Sequence, residues 1–359
     1  MNLRDWGWDD EWAAAFAPHA AEGLQPARVV RQDRGAWEIQ TEAGARPAEA
    51  TGRFRLALEG GEAEMPAVGD WAAVDPRPTC DRAGVAAVLP RRTCLARQDA
   101  GRATRAQVLA ANVDVAFLVG ALDAGRGFSL ARLERALALV RAGGAEAVAV
   151  LNKADLCDDI GGRVREAQAA APDVAVIAVS ATEGWGVDEL RPWLAAGRTG
   201  VLLGPSGVGK SALVNALLGE ARQATGAVRE EDARGRHTTT RRELFRLPDG
   251  GLLIDTAGLR EFQPWAAAGD LDSVFPEVAE LAANCRFRDC RHEGEPGCAV
   301  QQALGDGSLD ARRFEHYLRL KREQAYQAQK RDLGAQLAEK ARWKQIAQWQ
   351  KEFLRHREK

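Results

Sequence analysis

No stretch of this sequence stays apolar long enough to cross a bilayer. The most apolar long window, Ala106 to Leu122, is broken by Gln107, Asn112 and Asp114, and a helical span needs about 20 apolar residues. No membrane partner is expected. The N-terminus, MNLRDWGWDDEWAAAF, lacks a basic start followed by an apolar core, so no secretory leader is expected. Cysteine is sparse, with six in 359 residues. Without secretion, such usage argues for reduced thiols or a metal site, not disulfides, and for a cytoplasmic protein. No internal repeat is visible. Neither sign of charge dominates, since the net charge is −2. The total conceals an asymmetry. From Arg312 to Lys359 there are 14 Lys or Arg against 6 Asp or Glu, so the rest of the chain carries about −10. A basic tail on an acidic body suits either a polyanionic partner or a solvated helix.

What is present divides the chain into four parts. Residues 1–30 are acidic and Trp-containing, with room for one short helix. Residues 31–98 hold short alternating runs such as AWEIQT, GRFRLAL and DWAAVD, separated by Gly- and Pro-containing turns. Closely spaced short strands predict a small barrel, OB-type by its length, with an SH3-like barrel as the alternative. Residues 99–265 alternate buried strands (VDVAFLV, AEAVAVLNKAD, VAVIAVSA) with helices, LARLERALALVRAGG and VDELRPWLAAG among them. That alternation predicts a mostly parallel sheet covered on both faces. Within it, RRELFRLPDGGLLIDTAG reads as a hairpin. Residues 266–359 hold clustered cysteines and then a long, charged, Gln- and Ala-rich helix.

The segment Gly204-Pro205-Ser206-Gly207-Val208-Gly209-Lys210-Ser211 matches G-x-x-x-x-G-K-[ST] between an apolar strand and a helix. Glycines let the backbone wrap phosphates with N–H groups pointing inward, and the helix adds its positive end. Lys210 is placed for the β/γ-phosphates and Ser211 for Mg²⁺, with Ala212 next in the same turn. Asn152-Lys153-Ala154-Asp155 has the N-K-x-D spacing of guanine-reading loops and ends an apolar strand, where open parallel sheets bind ligands. Asp155 would accept from guanine N1–H and the exocyclic amine, which adenine cannot supply. Asn152 would steady the loop, and the Lys153 stem would lie over the ring. Ser180 and Ala181 end the next strand, and the Ala181 N–H could meet guanine O6.

Asp255 and Gly258 belong to DTAG. Asp255 would hold Mg²⁺ through water, and the Gly258 N–H would face the γ-phosphate. In RGRHTTT, Thr239 is favoured as the Mg²⁺ ligand, with Thr238 and Thr240 as alternatives. The polar segment 221–236 is expected to be a mobile loop. Leu259 stands where many GTPases place a water-orienting Gln. His237 is then the candidate to orient water or move a proton; the alternative is a solvent-exposed loop histidine. Cys285, Cys290, His292 and Cys298 read C-x₄-C-x-H-x₅-C, a donor set for a closed tetrahedral Zn²⁺ site. Cys80, Cys94 and Cys157 are isolated and read as packing residues.

The guanine motif precedes the phosphate loop by about fifty residues, the reverse of the ordinary order. A circular permutation explains this, with the old ends joined through GVDELRPWLAAGRTG. The DTAG segment, read as the second switch from Asp255 onward, then runs directly into the cysteine region, so its movement could pull on that region. PAVGDW, AANVD, NKADL, GPSGVGKS, RGRHTTT and RDCRHEGEPGCAV, in this order, closely resemble the small ribosomal subunit biogenesis GTPase (RsgA) family over nearly the whole chain. The resemblance implies a multidomain protein: an N-terminal OB-type β-barrel, a central α/β circularly permuted P-loop GTPase, and a C-terminal α-helical zinc-binding module. It also implies GTP hydrolysis stimulated by the small ribosomal subunit in its late maturation, a catalytic role for His237, and GTP/GDP, Mg²⁺ and one structural Zn²⁺ as ligands. DTAG departs from the family's frequent DTPG at Ala257. A monomer touching rRNA through barrel, zinc module and basic tail is expected; Trp343 and Trp349 would contact RNA or pack the tail helix. Two other functions remain open from sequence. One is a non-catalytic RNA-binding assembly factor with nucleotide as a structural ligand. The other is a P-loop kinase or ATPase, which NKAD disfavours.

Overall fold

A computed structural model of the chain describes residues 2–33, 36–79, 82–98, 106–123, 128–219, 242–255, 271–326 and 329. Two compact units arise, Met1–Ala96 with Val108–Phe262, and Arg97–Gln107 with Gln263–Lys359. No helix among the described residues is long and apolar enough to cross a membrane.

The first unit opens with a 3₁₀ turn, Leu3–Trp6, and α1 (Asp10–Ala20). Asp9 caps α1 by accepting the Trp12 N–H at 2.9 Å, which satisfies one of the free donors of the first turn. Trp8 sits edge-on to Trp71 at 4.7 Å between ring centroids, and Trp8 meets Phe16 at 5.9 Å.

The barrel strands follow: β1 (Gln25–Asp33), β2 (Ala36–Thr41), β3 (Gly44–Ala50), then α2 (Gly52–Gly60), β4 (Trp71–Thr79) and β5 (Arg82–Val88). β1 pairs with β2 and β4, β2 with β3, β3 with β5, and β5 with β4. These pairings close a five-stranded ring with a helix between its third and fourth strands, the OB-type arrangement expected. Closure removes the exposed edges that short strands would otherwise carry. Val29, Trp37, Ile39, Phe54, Val74 and Val85 fill the interior.

A two-stranded sheet, β6 (Cys94–Gln98) and β7 (Ala106–Ala111), comes next. Then follow β8 (Val115–Ala121), α3 (Leu130–Ala142), β9 (Glu146–Asn152), α4 (Ile160–Ala170), β10 (Ala175–Ala178), β11 (Thr199–Leu203), α5 (Lys210–Leu218), β12 (Arg242–Arg246) and β13 (Leu252–Asp255). In space the order is β10-β9-β8-β11-β13-β12, parallel except for β12. The strand preceding the phosphate loop, β11, thus lies between β8, which comes earlier in the chain, and β13, which comes later. The chain enters this sheet midway through its strand order, which is a circular permutation. Phe117, Val150, Leu190, Leu202, Leu213 and Leu253 form its core. The joining segment VDELRPWL, expected to be helical, is helical in the 3₁₀ form. Pro192 lies inside it, and proline has no N–H for the α-helical bond.

β1 also pairs with β12, at Arg31↔Glu243 and Gln32↔Arg242, so barrel and nucleotide sheet share one 11-stranded sheet. Arg28 of β1 fastens this seam while 2% exposed. Its guanidinium donates to the Thr199 hydroxyl at 2.9 Å, to the Gly69 and Asn112 carbonyls at 3.3 Å each, and to the Trp6 carbonyl. It also lies 5.3 Å from the Trp71 ring centroid. Burial lowers its pKa to about 10, opposed by the charges of Asp114 and Asp70. The seam needs Gly69: its φ is +95°, and a Cβ there would lie 2.0 Å from the Ala111 carbonyl oxygen.

The second unit contains α6 (Leu271–Val274), α7 (Pro276–Ala283), α8 (Ala299–Asp306) and a helical run over 311–326. Phe275, Val278, Val300, Phe314 and Tyr317 are buried in it. Arg313 pairs with Glu277 and donates to the Val274 carbonyl at 2.9 Å.

Arg28→Ala strands several buried acceptors at once. It should lower the unfolding free energy by about 3–5 kcal/mol, read by urea denaturation followed through tryptophan fluorescence.

Candidate functional site

The phosphate loop stands where its motif requires, between β11 and α5. Gly207 and Gly209 have positive φ of 84° and 93°, which turns successive N–H groups toward one concavity. Gly209 has a second constraint. A Cβ on it would lie 2.2 Å from Asn152 Nδ2, so only glycine lets the base loop approach. Lys210 folds over the loop and donates to the Gly204 and Pro205 carbonyls, both at 2.8 Å. Burial lowers its pKa, and the charge of Asp255 partly offsets this. Asp255 ends β13, is 3% exposed, and sits in register with Leu202 of β11. A half-buried ammonium near one buried carboxylate, on a loop with two positive-φ glycines, suits a polyphosphate. Ser206 is exposed, Val208 buried, and Ser211 and Ala212 half-buried at the start of α5.

Asn152 is the last residue of β9 and is buried. Its Nδ2 donates to the Val208 carbonyl of the phosphate loop at 2.8 Å. Its Oδ1 accepts the Ala181 N–H at 3.0 Å. One side chain therefore joins three loops that are far apart in sequence. Lys153 adopts the left-handed conformation, φ 60°, which is uncommon outside glycine and concentrates at functional sites. This kink starts the short turn Ala154–Leu156 and leaves Asp155 exposed. The Ala181 N–H, expected to meet guanine O6, is here engaged by Asn152. Ser180 is buried, and its N–H bonds the Trp185 carbonyl at 2.9 Å.

The cysteine cluster is gathered as expected. The donor atoms of Cys285, Cys290, His292 and Cys298 all lie within 4.8 Å of one another. Cys285 and Cys298 sulfurs are 3.9 Å apart, and His292 Nδ1 is 3.6 and 3.5 Å from them. A tetrahedron with Zn–S of about 2.3 Å and Zn–N of about 2.0 Å has S–S edges of about 3.8 Å and S–N edges of about 3.5 Å. The spacing therefore fits that ion. The electrostatics agree. Burial works against ionising Cys285, yet the Val300 and Ala299 N–H groups at the start of α8 hold its pKa down. Desolvation, with the Cys298 and Cys285 thiols beside it, pushes Cys290 up to about 12. Burial lowers the His292 pKa, with the Lys321 charge adding to it, which keeps the imidazole neutral for ligation. Three thiols this close need a cation to ionise together. Cys94 and Cys157 are half-buried and stand apart from this cluster.

His237, Thr238, Thr239, Thr240, Ala257, Gly258, Leu259, Trp343, Trp349, Cys80 and the segment 221–236 lie outside the described residues. One contact had no motif behind it: the Lys153 ammonium pairs with Asp123 Oδ2 at 2.5 Å. An acidic residue just past the end of the neighbouring apolar strand was the available signal.

The profile of the RsgA GTPase family matches residues 88–265. The small ribosomal subunit biogenesis GTPase RsgA of Opitutus terrae is 49% identical, covering 98% of this chain and 97% of that relative.

The chain belongs to the RsgA GTPase family.

A second RsgA, from Streptomyces coelicolor, is 47% identical over 89% of this chain and 86% of its own length. YjeQ from Thermotoga maritima superposes with a TM-score of 0.61 at 27% identity, covering 84% of this chain and 99% of that one. YloQ, described as a circularly permuted GTPase, gives 0.56 at 23% identity, with 84% and 95% covered; that likeness supports the fold. RsgA membership brings guanine nucleotide and GTP hydrolysis as a class. The strand order found here accounts for the permutation.

Two outcomes follow. Asn152→Ala removes both bonds that join the loops and leaves their partners unsatisfied, so GDP affinity should fall roughly 10- to 100-fold, measured by titration with a fluorescent GDP analogue. Purified protein should carry one zinc per chain. Its removal by a strong chelator should cost on the order of 10 kcal/mol of local folding, seen as lost helical circular dichroism together with released metal in a colorimetric assay.

Proposed function

We propose that this chain is a GTPase switched on by the small ribosomal subunit during late maturation of that subunit, and that it contacts rRNA. The observation that supports this reading is Asn152, which hydrogen-bonds both Val208 of the GPSGVGKS loop and Ala181 after β10. Asp155 reads the guanine edge, while the Lys153 stem lies against the ring. The Ala181 N–H exchanges its Asn152 bond for guanine O6 as the base enters. Lys210 leaves the Gly204 and Pro205 carbonyls to meet the β- and γ-phosphate oxygens, drawing off charge as the γ-phosphoryl group departs. The N–H groups of Gly207, Val208 and Gly209 complete the cradle.

Ser211 and Thr239 would hold Mg²⁺ directly, and Asp255 through water. The ion, when bound, would neutralise charge on the phosphate oxygens. Gly258 faces the γ-phosphate. His237 orients the attacking water, since Leu259 cannot. A slow intrinsic rate that rises on the subunit follows from Leu259, which cannot orient water, and from a partner's bringing His237 to the attacking water. Cys285, Cys290, His292 and Cys298 hold a structural Zn²⁺ with no position open for catalysis. The functional division is 1–30, barrel 31–98, GTPase 99–265 and zinc module with basic tail 266–359. The protein acts as a cytoplasmic monomer.

A second reading is a non-catalytic RNA-binding assembly factor that keeps nucleotide as a structural ligand, and Leu259 favours it. Steady-state GTP and ATP turnover with and without purified small subunits separates the two. Stimulated, GTP-specific turnover is expected; no stimulation removes the first reading. His237→Ala should reduce stimulated turnover about 100-fold or more while GTP affinity holds, and unchanged turnover would remove His237 from the mechanism. Asp155→Asn should relax the preference for guanine, checked by competition with other nucleotides.

A further inference from the structure

Asp123 lies two residues beyond the end of β8, on the loop beside the guanine-reading turn. The two loops stay zipped past their sheet. Ala121 is in register with Asn152, and the Leu122 N–H donates to the Asn152 carbonyl at 2.8 Å. The Asp123 carboxylate then meets the Lys153 ammonium at 2.5 Å, with side-chain exposures of 28% and 29%. A pair this sheltered is screened less than a surface one.

We infer that Asp123 is a positioning residue for guanine binding: by holding the Lys153 ammonium it lays out the lysine stem in advance as a wall for the base. The inference rests on the reading of Asn152–Asp155 as the guanine loop. Three observations carry it. Lys153 has a left-handed backbone, φ 60°, so its side chain leaves the turn in a direction set by the kink and needs a partner there. Lysine has one of the largest rotamer entropies, so fixing its stem before the base arrives removes that loss from the binding step. Asp155 stands two residues away and is exposed. A Lys153 free to swing could pair with it and occupy the acceptor that guanine requires. Asp123 wins that competition and keeps Asp155 open.

The test compares wild type, Asp123→Asn and Asp123→Glu in the full-length, zinc-loaded protein. GDP release is timed by stopped-flow with a fluorescent analogue, and inorganic triphosphate binding is measured by calorimetry. Asp123→Asn keeps shape but loses charge, so GDP release should quicken about tenfold. Triphosphate binding and thermal midpoint should stay at wild-type values, because that ligand has no base for Lys153 to support. Asp123→Glu should restore slow release. The inference is overturned if Asp123→Asn releases GDP at the wild-type rate. It is equally overturned if GDP and triphosphate weaken together, which marks a general structural role. A wild-type protein that binds triphosphate but not GDP overturns the guanine reading itself, and the inference with it.

Discussion

The nucleotide site depends on the carboxamide of Asn152. Its donor end holds the phosphate loop at Val208, and its acceptor end holds the loop after β10 at Ala181. The first bond is buried and the second partly so, where an unmet polar group is costly. Neither loop can drift without stranding a partner. The close approach this requires explains Gly209, where any Cβ would collide with the amide nitrogen. The loop after β9 and the loop after β11 thus behave as one object, although their residues are separated by about fifty positions in the chain.

The same logic operates on a larger scale at the seam between barrel and nucleotide sheet. β12 carries the chain out of the segment that holds His237 and Thr239, and it is hydrogen-bonded on one side to β13 and on the other to β1. Arg28 closes the seam by distributing one buried charge over acceptors from the N-terminal turn, the barrel loop and β11. A guanidinium suits this role because its donors form a planar fork and it keeps its charge when buried. β12 is therefore anchored to the barrel by backbone pairing.

Much of the candidate site was legible because its chemistry is local. GPSGVGKS needs only a strand, a turn and a helix, and all three are adjacent in sequence. The cysteine cluster spans fourteen residues, so its spacing already implied a common centre. The 3₁₀ form of VDELRPWL was not read, although Pro192 offered the signal. Arg28 and Asp123 were invisible for another reason. Each acts on partners brought near only by folding, such as Thr199 for Arg28 and Lys153 for Asp123. A lone Arg in a strand or a lone Asp after one has no pattern to announce it. The engagement of the Ala181 N–H by Asn152 was hidden in the same way, because it depends on how two adjacent strands end.

The sequence by itself determined the family, the nucleotide motifs, the metal donor set and the reversed order that marks a permutation. These follow from residue type and spacing along the chain, where short-range geometry suffices. Only the tertiary structure decided which side chains bind the loops to one another. Closure of the barrel through β1 and β4, insertion of β11 between β8 and β13, and the reach of Asn152, Arg28 and Asp123 across the sheet all depend on long-range register. Register is settled by packing of whole strands, in which a shift of one residue would move every side chain to the opposite face of the sheet.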